Sequence, residues 1–141
     1  MDHRIGIWNL LHDGEITAVS EQGNNLTMFV SIPYLRRRLS PMGDSFVLTL
    51  KGVKKLEFHN FDGKAELLAD QLNIGAPEIL GTDSNSIPVT VDTTLGQLMI
   101  DFDSVALAMD TGQIIDFETI DRTAVEYWTE WEAKAAKARE P

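Results

Sequence analysis

Alternating apolar and polar side chains dominate the chain. In LTMFVSI (26–32), Leu26, Met28, Val30 and Ile32 fall on one face, the two-residue period of a half-buried strand. EITAVSEQ (15–22) alternates more weakly before it, and GNN (23–25) between the two runs supplies the turn residues of a β-hairpin. Pro33 ends the second strand because it brings no N–H to a ladder. After a connection, YLRRRLSPMGD (34–44), the pattern resumes with Phe46, Leu48 and Leu50. Gly52 interrupts it, and Leu56 and Phe58 then share a face, which predicts a second hairpin or a sharply bulged pair. In the second half PEIL, IPVTV, QLMIDF and SVALAM read as strands divided by GTDSNS, DTTLG and a short FDS step. Asp110-Thr-Gly is a tight turn into a further strand-like run, QIIDFETI.

Three segments switch to a helical period. Residues 3–11 place Ile7, Leu10 and Leu11 on one side and stop at Gly14. DGKAELLADQLN (62–73) spaces Ala65, Leu68 and Leu72 as a short middle helix, with Gly75 as its C-cap. DRTAVEYWTEWEAKAAKARE (121–140) carries Ala124, Trp128, Trp131 and Ala135 along one stripe. Asp121 is its expected N-cap, and Lys134, Lys137 and Arg139 stand at the negative end of its dipole. The order is helix, four strands, helix, four or five strands, helix. Short turns between strands imply a mainly antiparallel sheet, so the predicted class is α+β: a short N-terminal helix, a short middle helix and an amphipathic C-terminal helix, in one domain over 1–141. The expected core is Leu26, Met28, Val30, Phe46, Leu48, Leu50, Leu56, Phe58, Leu98, Ile100, Phe102, Val105 and Leu107, with Trp128 and Trp131 on it or at its edge.

Composition narrows the function classes. The chain has 141 residues, a net charge of −10 and no cysteine, which removes disulfides, thiolate metal sites and cysteine nucleophiles. No apolar run reaches the roughly 18 residues of a membrane span, and MDHRIGIW lacks the apolar stretch of a signal peptide, so a cytoplasmic protein is expected. Phosphate backbones repel so acidic a chain, which argues against nucleic-acid binding. The charge is also unevenly spread. Residues 65–121 contain eleven carboxylates and no Lys or Arg, whereas Arg36, Arg37, Arg38, Lys51, Lys54, Lys55 and Lys64 cluster before them. Two expectations follow: the halves attract each other within the fold or the acids are merely solvated, or the acids form a surface for a basic partner. For the second, Asp101, Asp103, Asp116 and Glu118 are the candidate partner-binding residues, since they flank or interrupt strands whose apolar neighbours turn inward.

Candidate chemistry is sparse. His12-Asp13 heads metal-dependent phosphohydrolases, but those enzymes gather several ligands on helical scaffolds, and His3, His12 and His59 form no i, i+4 pair. Asp13-Gly14 reads instead as a turn, with His12 turned back to the last carbonyls of the first helix. A metal site would require the sheet to bring His59 and Asp62 beside His12 and Asp13. Nucleophile elbows, phosphate-binding glycine loops and calcium-loop spacing are missing from the sequence. No catalytic residue, metal or cofactor is assigned. Three consecutive arginines at 36–38 point in different directions, so a solvated connection is expected there.

HDGEI (12–16), the hairpin after it, FVLTLKGVKKLEFHNFDG (46–63) and QLMIDFDSVALAM (97–109) together resemble small bacterial immunity proteins of polymorphic toxin systems. Members of that family show a His-Asp-x-Glu opening, a Leu-x-Phe-x-x-Val type of strand and a closing hydrophobic pair among acids. Here Leu48 and Leu50 stand where an aromatic is common. The resemblance implies a non-enzymatic protein-binding module that neutralises a toxin domain with a basic surface; it identifies no contact residue and leaves the oligomeric state open. The competing expectation is a small ligand-binding or metal-dependent enzyme domain with a cleft near His12, Asp13 and His59.

Overall fold

The computed structural model describes residues 2–61, 65–66, 75–83 and 85–139. The architecture is α+β, with two antiparallel sheets and helices outside them. The first hairpin forms as the alternation predicts. β1 (Glu15–Gln22) turns at Gly23, whose φ of 60° suits a residue without Cβ, into β2 (Asn25–Ser31). The weak alternation of β1 has a cause. The register shifts between Ile16 and Ala18, so a bulge places Ile16 and Val19, three residues apart, on the same buried side. Pro33 opens a one-turn helix, α2 (Pro33–Arg36).

Neither the second hairpin nor the bulged pair forms, because β3 (Ser45–Lys51) and β4 (Lys55–Asn60) do not pair with each other. β3 pairs with β2 on one side and β9 (Ser104–Met109) on the other, while β4 pairs with β8 (Gly96–Asp101). Gly52, at φ 68°, bends β3 into β4, and Phe102-Asp103 bends β8 into β9 at the same level. Asp103 N–H donates to Lys51 O at 2.8 Å and Lys54 N–H to Asp101 O at 2.8 Å, which carries the ladder through the bend. Two long bent strands are thus shared by the sheet β1-β2-β3-β9 and, with β5 (Ala65–Glu66), β6 (Ile79–Thr82) and β7 (Val89–Thr93), the sheet β5-β4-β8-β7-β6. β7 (Val89–Thr93) continues the second sheet to β6 (Ile79–Thr82). The circuit then closes: Ile16 N–H donates to Pro77 O at 2.9 Å and Ile79 N–H to Gly14 O at 2.8 Å, around a bridge between Glu15 and Glu78. Closure leaves fewer open edges, which are a hazard for any sheet.

The interior is filled by the expected residues. Leu26, Met28, Val30, Phe46, Leu48, Leu50, Phe58, Leu98, Ile100, Phe102 and Leu107 are buried; Leu56 and Val105 are half-buried against them. α1 (His3–Leu10) adds Ile7 and Trp8, with Leu11 just beyond it, and lies on β6, β7 and β9. Asp2 caps it by accepting from Arg4 N–H at 3.0 Å.

Three further expectations need correction. The middle helix expected over 62–73 meets a short strand instead at β5 (Ala65–Glu66), paired with β4; the rest of that segment lies outside the described residues. QIIDFETI is not a strand. Ile114 only bridges Ala108, and the C-terminal helix α3 already starts at Phe117, running to Ala138. Its N-cap is therefore Asp116, which accepts from Thr119 N–H at 2.8 Å, and Asp121 lies inside the helix. Phe117, Ile120, Thr123 and Ala124 bury its first turns, Trp128 is half-buried and Trp131 is 53% exposed, outside the core. Among the described residues no helix is long and apolar enough to cross a membrane.

Candidate functional site

Three places collect the side chains singled out by the sequence. The first is the turn after α1. Asp13 sits at φ 71°, and a Cβ on Gly14 would come within 2.6 Å of the Val30 side chain, so this turn needs its glycine. His12 Nδ1 donates to Asn9 O at 2.8 Å; a carbonyl can only accept, which fixes the proton on Nδ1. Its ring stacks on Trp128, centroids 5.2 Å apart, and its own carbonyl accepts from the Tyr34 hydroxyl at 3.1 Å. Burial pushes the Tyr34 phenol well up, so it stays a donor. Tyr34 in turn meets Tyr127 and Trp128. The bond to Asn9 O is the one the turn reading expected, and the stack on Trp128, which it did not foresee, anchors α3 against the end of α1.

The second place is a cleft of about 700 Å³ on the outer face of the five-stranded sheet. Pairing of β4, β8 and β7 sets His59 beside Gln97 and Gln97 beside Asp92. Gln97 Nε2 donates to Asp83 Oδ2 at 3.0 Å and to Asp92 Oδ1 at 2.9 Å, which holds two carboxylates together at the rim. His59 Nε2 donates to Glu57 Oε2 at 3.1 Å, and that bond, helped by Lys55, holds the Glu57 carboxyl below its ordinary value. Apolar contact comes from Phe61, 77% exposed, Leu80, 54% exposed, and Met99. The base is rigid. The buried Thr93 hydroxyl donates to Gly96 O at 2.8 Å and accepts from Gly96 N–H at 3.1 Å, while a Cβ on Gly96 would strike His59 O. The arrangement can accept hydrogen bonds from cationic groups while offering an apolar bed.

Sequence reasoning picked out His59 but missed Phe61, Leu80, Asp92, Gln97 and Met99. A signal existed: Leu80 follows the buried Ile79, and Met99 lies between the buried Leu98 and Ile100. An apolar residue out of phase with its strand faces outward.

His12 and His59 do not share a cavity. His12 lines a smaller one, about 260 Å³, between α1 and α3 with Leu10, Val125, Trp128 and Glu132. The expected cleft of His12, Asp13 and His59 is therefore not assembled, Asp62 lies outside the described residues, and no group of three His, Cys, Asp or Glu among the described residues could hold a metal ion.

The third place is the set of acids. Asp103 Oδ1 pairs with Lys54 Nζ at 2.6 Å, and that bond raises the lysine. Asp101 and Asp103 also favour the charged form of Arg4, which pairs with Asp2 at 2.7 Å. Asp116 is the α3 cap, and Glu118 lies exposed in the first turn. Local cations therefore neutralise part of this group, and another part supports a helix.

One buried charge was missed entirely. Arg36, expected in a solvated connection, is fully buried. Its guanidinium grips Asp110 Oδ1 from Nη2 at 2.8 Å and Nε at 3.0 Å, and donates to Pro41 O at 2.6 Å. Arg38 pairs with Glu130 and lies over the Tyr127 ring, 5.1 Å from its centroid. Both tie α2 and its loop to other elements.

A scan of family models, a search of curated proteins and a search of solved structures each returned no match to this chain.

Proposed function

We propose that the chain is a non-enzymatic protein-binding module of the immunity type, acting in the cytoplasm and neutralising a toxin domain through a basic, partly apolar segment of that partner. The observation that carries the reading is the cleft on the five-stranded sheet, where Phe61, Leu80 and Met99 lie beside the Asp83–Gln97–Asp92 strip. Solvent-facing apolar side chains next to two fixed carboxylates suit Lys or Arg stems with their charged heads. Asp101, Asp103, Asp116 and Glu118 add a weaker field, because Lys54 and Arg4 offset part of it and Asp116 caps α3. The cleft volume also lies within the range of small-molecule sites, which favours, as a second reading, an amphipathic cationic ligand in the same place.

A photo-crosslinking residue at Leu80 tests the first reading in cells that produce the chain, with Phe29 on the other sheet as control. The expected outcome is a protein adduct of basic character from position 80, absent from position 29 and lost on Asp83→Lys/Asp92→Lys. Equal adducts from both positions, or adducts indifferent to the charge reversal, would refute it. Association should also slow steeply between low and physiological salt, as the Debye length shortens to about 8 Å.

A further inference from the structure

On the polar side of the five-stranded sheet's cleft the donors are engaged and the acceptors are open. Gln97 turns its amide nitrogen to Asp83 and Asp92, an orientation the carboxylates impose because they can only accept. Both N–H groups of that amide are thereby used, and its Oε1 meets no donor among the described residues. His59 donates from Nε2 to Glu57, which leaves Nδ1 of the neutral ring as an acceptor. The Thr93 hydroxyl donates to Gly96 O, and Asn60 is not without a partner either. Among the described residues, Asp83 Oδ1 and Asp92 Oδ2 stay open, and no Lys or Arg lines the cleft to meet them.

Register sets these acceptors in a row. His59 pairs with Gln97 and Gln97 with Asp92, so the three side chains leave the same face of β4, β8 and β7, about 4.8 Å from strand to strand. Met99, Leu80 and the exposed Phe61 supply apolar surface beside the row.

A ligand head that matches this inventory carries several donors, a positive charge and no acceptor. Two side chains qualify, and their hydration and shape separate them. The ammonium of lysine is a compact, strongly hydrated point charge, and it must shed water to enter beside Leu80 and Met99. The guanidinium of arginine is planar and weakly hydrated, presents five donors in a rigid fork and stacks on aromatic faces. Its fork reaches two neighbouring acceptors of the row at once, while Phe61 supplies an aromatic surface.

We infer that the cleft is an arginine-selective site: it takes a partner's guanidinium in preference to an ammonium, with Gln97 Oε1 and His59 Nδ1 as the selecting acceptors and Asp83 and Asp92 as the opposing charge. The assignment rests on the reading of this cleft as the contact for a basic, partly apolar segment, and adds which basic side chain that segment carries.

Three blocked tripeptides, with arginine, lysine or citrulline between alanine and leucine, are titrated into the isotope-labelled full chain, and amide shifts are followed by NMR. Shifts are expected at Phe61, Leu80 and Gln97 and not at Phe29 on the other sheet. Arginine should bind about tenfold or more tighter than lysine. Citrulline, which keeps the planar shape without the charge, should not bind. Gln97→Leu, at an exposed position, should leave the rest of the amide spectrum unchanged and narrow the arginine-to-lysine ratio to about threefold or less. Asp83→Asn/Asp92→Asn should weaken both charged peptides. Equal affinities for arginine and lysine, a ratio indifferent to Gln97→Leu, or no arginine binding up to several millimolar would overturn the inference. Tighter binding of spermidine than of the arginine peptide would overturn it too, in favour of a small polyamine. A basic protein adduct from position 80 together with equal peptide affinities defeats the arginine assignment and leaves the protein-binding reading standing. An arginine preference without such an adduct defeats that reading and supports the selectivity of the cleft.

Discussion

At the scale of single residues, the pair of the buried Arg36 with the solvent-reached Asp110 concentrates the most chemistry in the smallest space. Partial burial pushes the Asp110 carboxyl up, but the Asp44 N–H, the Arg36 guanidinium and the Ser45 N–H outweigh it and hold the group below its ordinary value. A depressed carboxyl contributes stability above its unfolded value, near about 4, and loses that contribution as pH falls through the lower folded value. Urea unfolding as a function of pH should therefore show the parent losing stability below about pH 4, with Asp110→Ala much flatter there. At neutral pH Asp110→Ala should cost about 3–5 kcal/mol, because it strands a guanidinium that is fully buried. A loss below 1 kcal/mol would mean that the carbonyls around Arg36 suffice without the carboxylate. Phe102→Ala, at the bend between β8 and β9, should cost a similar 3–5 kcal/mol by leaving a cavity where both sheets meet. The two residues differed in legibility. Phe102 lay in phase with its strand, whereas Arg36 was one of three arginines, and only its neighbours in space separate it from Arg37 and Arg38.

Among elements, α3 shows how far local signals reach. The stripe through Ala124, Trp128, Trp131 and Ala135 identified a helix, but its start was placed five residues late. Phe117 and Ile120 fit a strand as well as a helix when read alone, and Asp116 and Asp121 are equally good caps by residue type. Packing decides between them: Phe117 is buried and its ring stacks on His3 at 3.9 Å, which holds the first turn in place. The side-chain and backbone hydrogen bonds from Thr119 hold the Asp116 carboxyl below its ordinary value. Asp116→Ala should lower the melting temperature at neutral pH, and the difference from the parent should shrink as pH falls and the cap is protonated. Asp121→Ala, inside the helix, should leave the melting temperature unchanged. The reverse ranking in thermal denaturation would restore Asp121 as the cap.

For the molecule as a whole, closure of the sheets is the governing feature, and it rests on a short seam. Ile16 and Ile79 donate across it to Pro77 and Gly14, and Asp13 N–H donates to Ile79 O at 2.7 Å. Amide hydrogen exchange should find Ile16 and Ile79 as protected as Leu48 and Leu98 in the middle of the sheets. Rapid exchange at both would mean that the seam opens independently and that the sheets fold as separate units.

The sequence by itself determined which faces turn inward. Period-two alternation placed Leu26 to Val30, Phe46 to Leu50 and Leu98 to Phe102 in the interior, because burying apolar surface is worth more than any other choice those strands have. It determined the α+β class and the first hairpin, whose turn residues are local. Tertiary structure alone decided that Gly52 bends one strand between two sheets where a hairpin or a bulged pair was expected, since a glycine permits each of these outcomes and only the pairing of β3 with β9 and β4 with β8 selects one. It decided likewise that Arg36 is buried, that His12 and His59 line different cavities, and that Asp83 and Asp92 converge on Gln97. Each of those outcomes depends on residues far apart in the chain, and side-chain periodicity carries no information about which strand lies beside which.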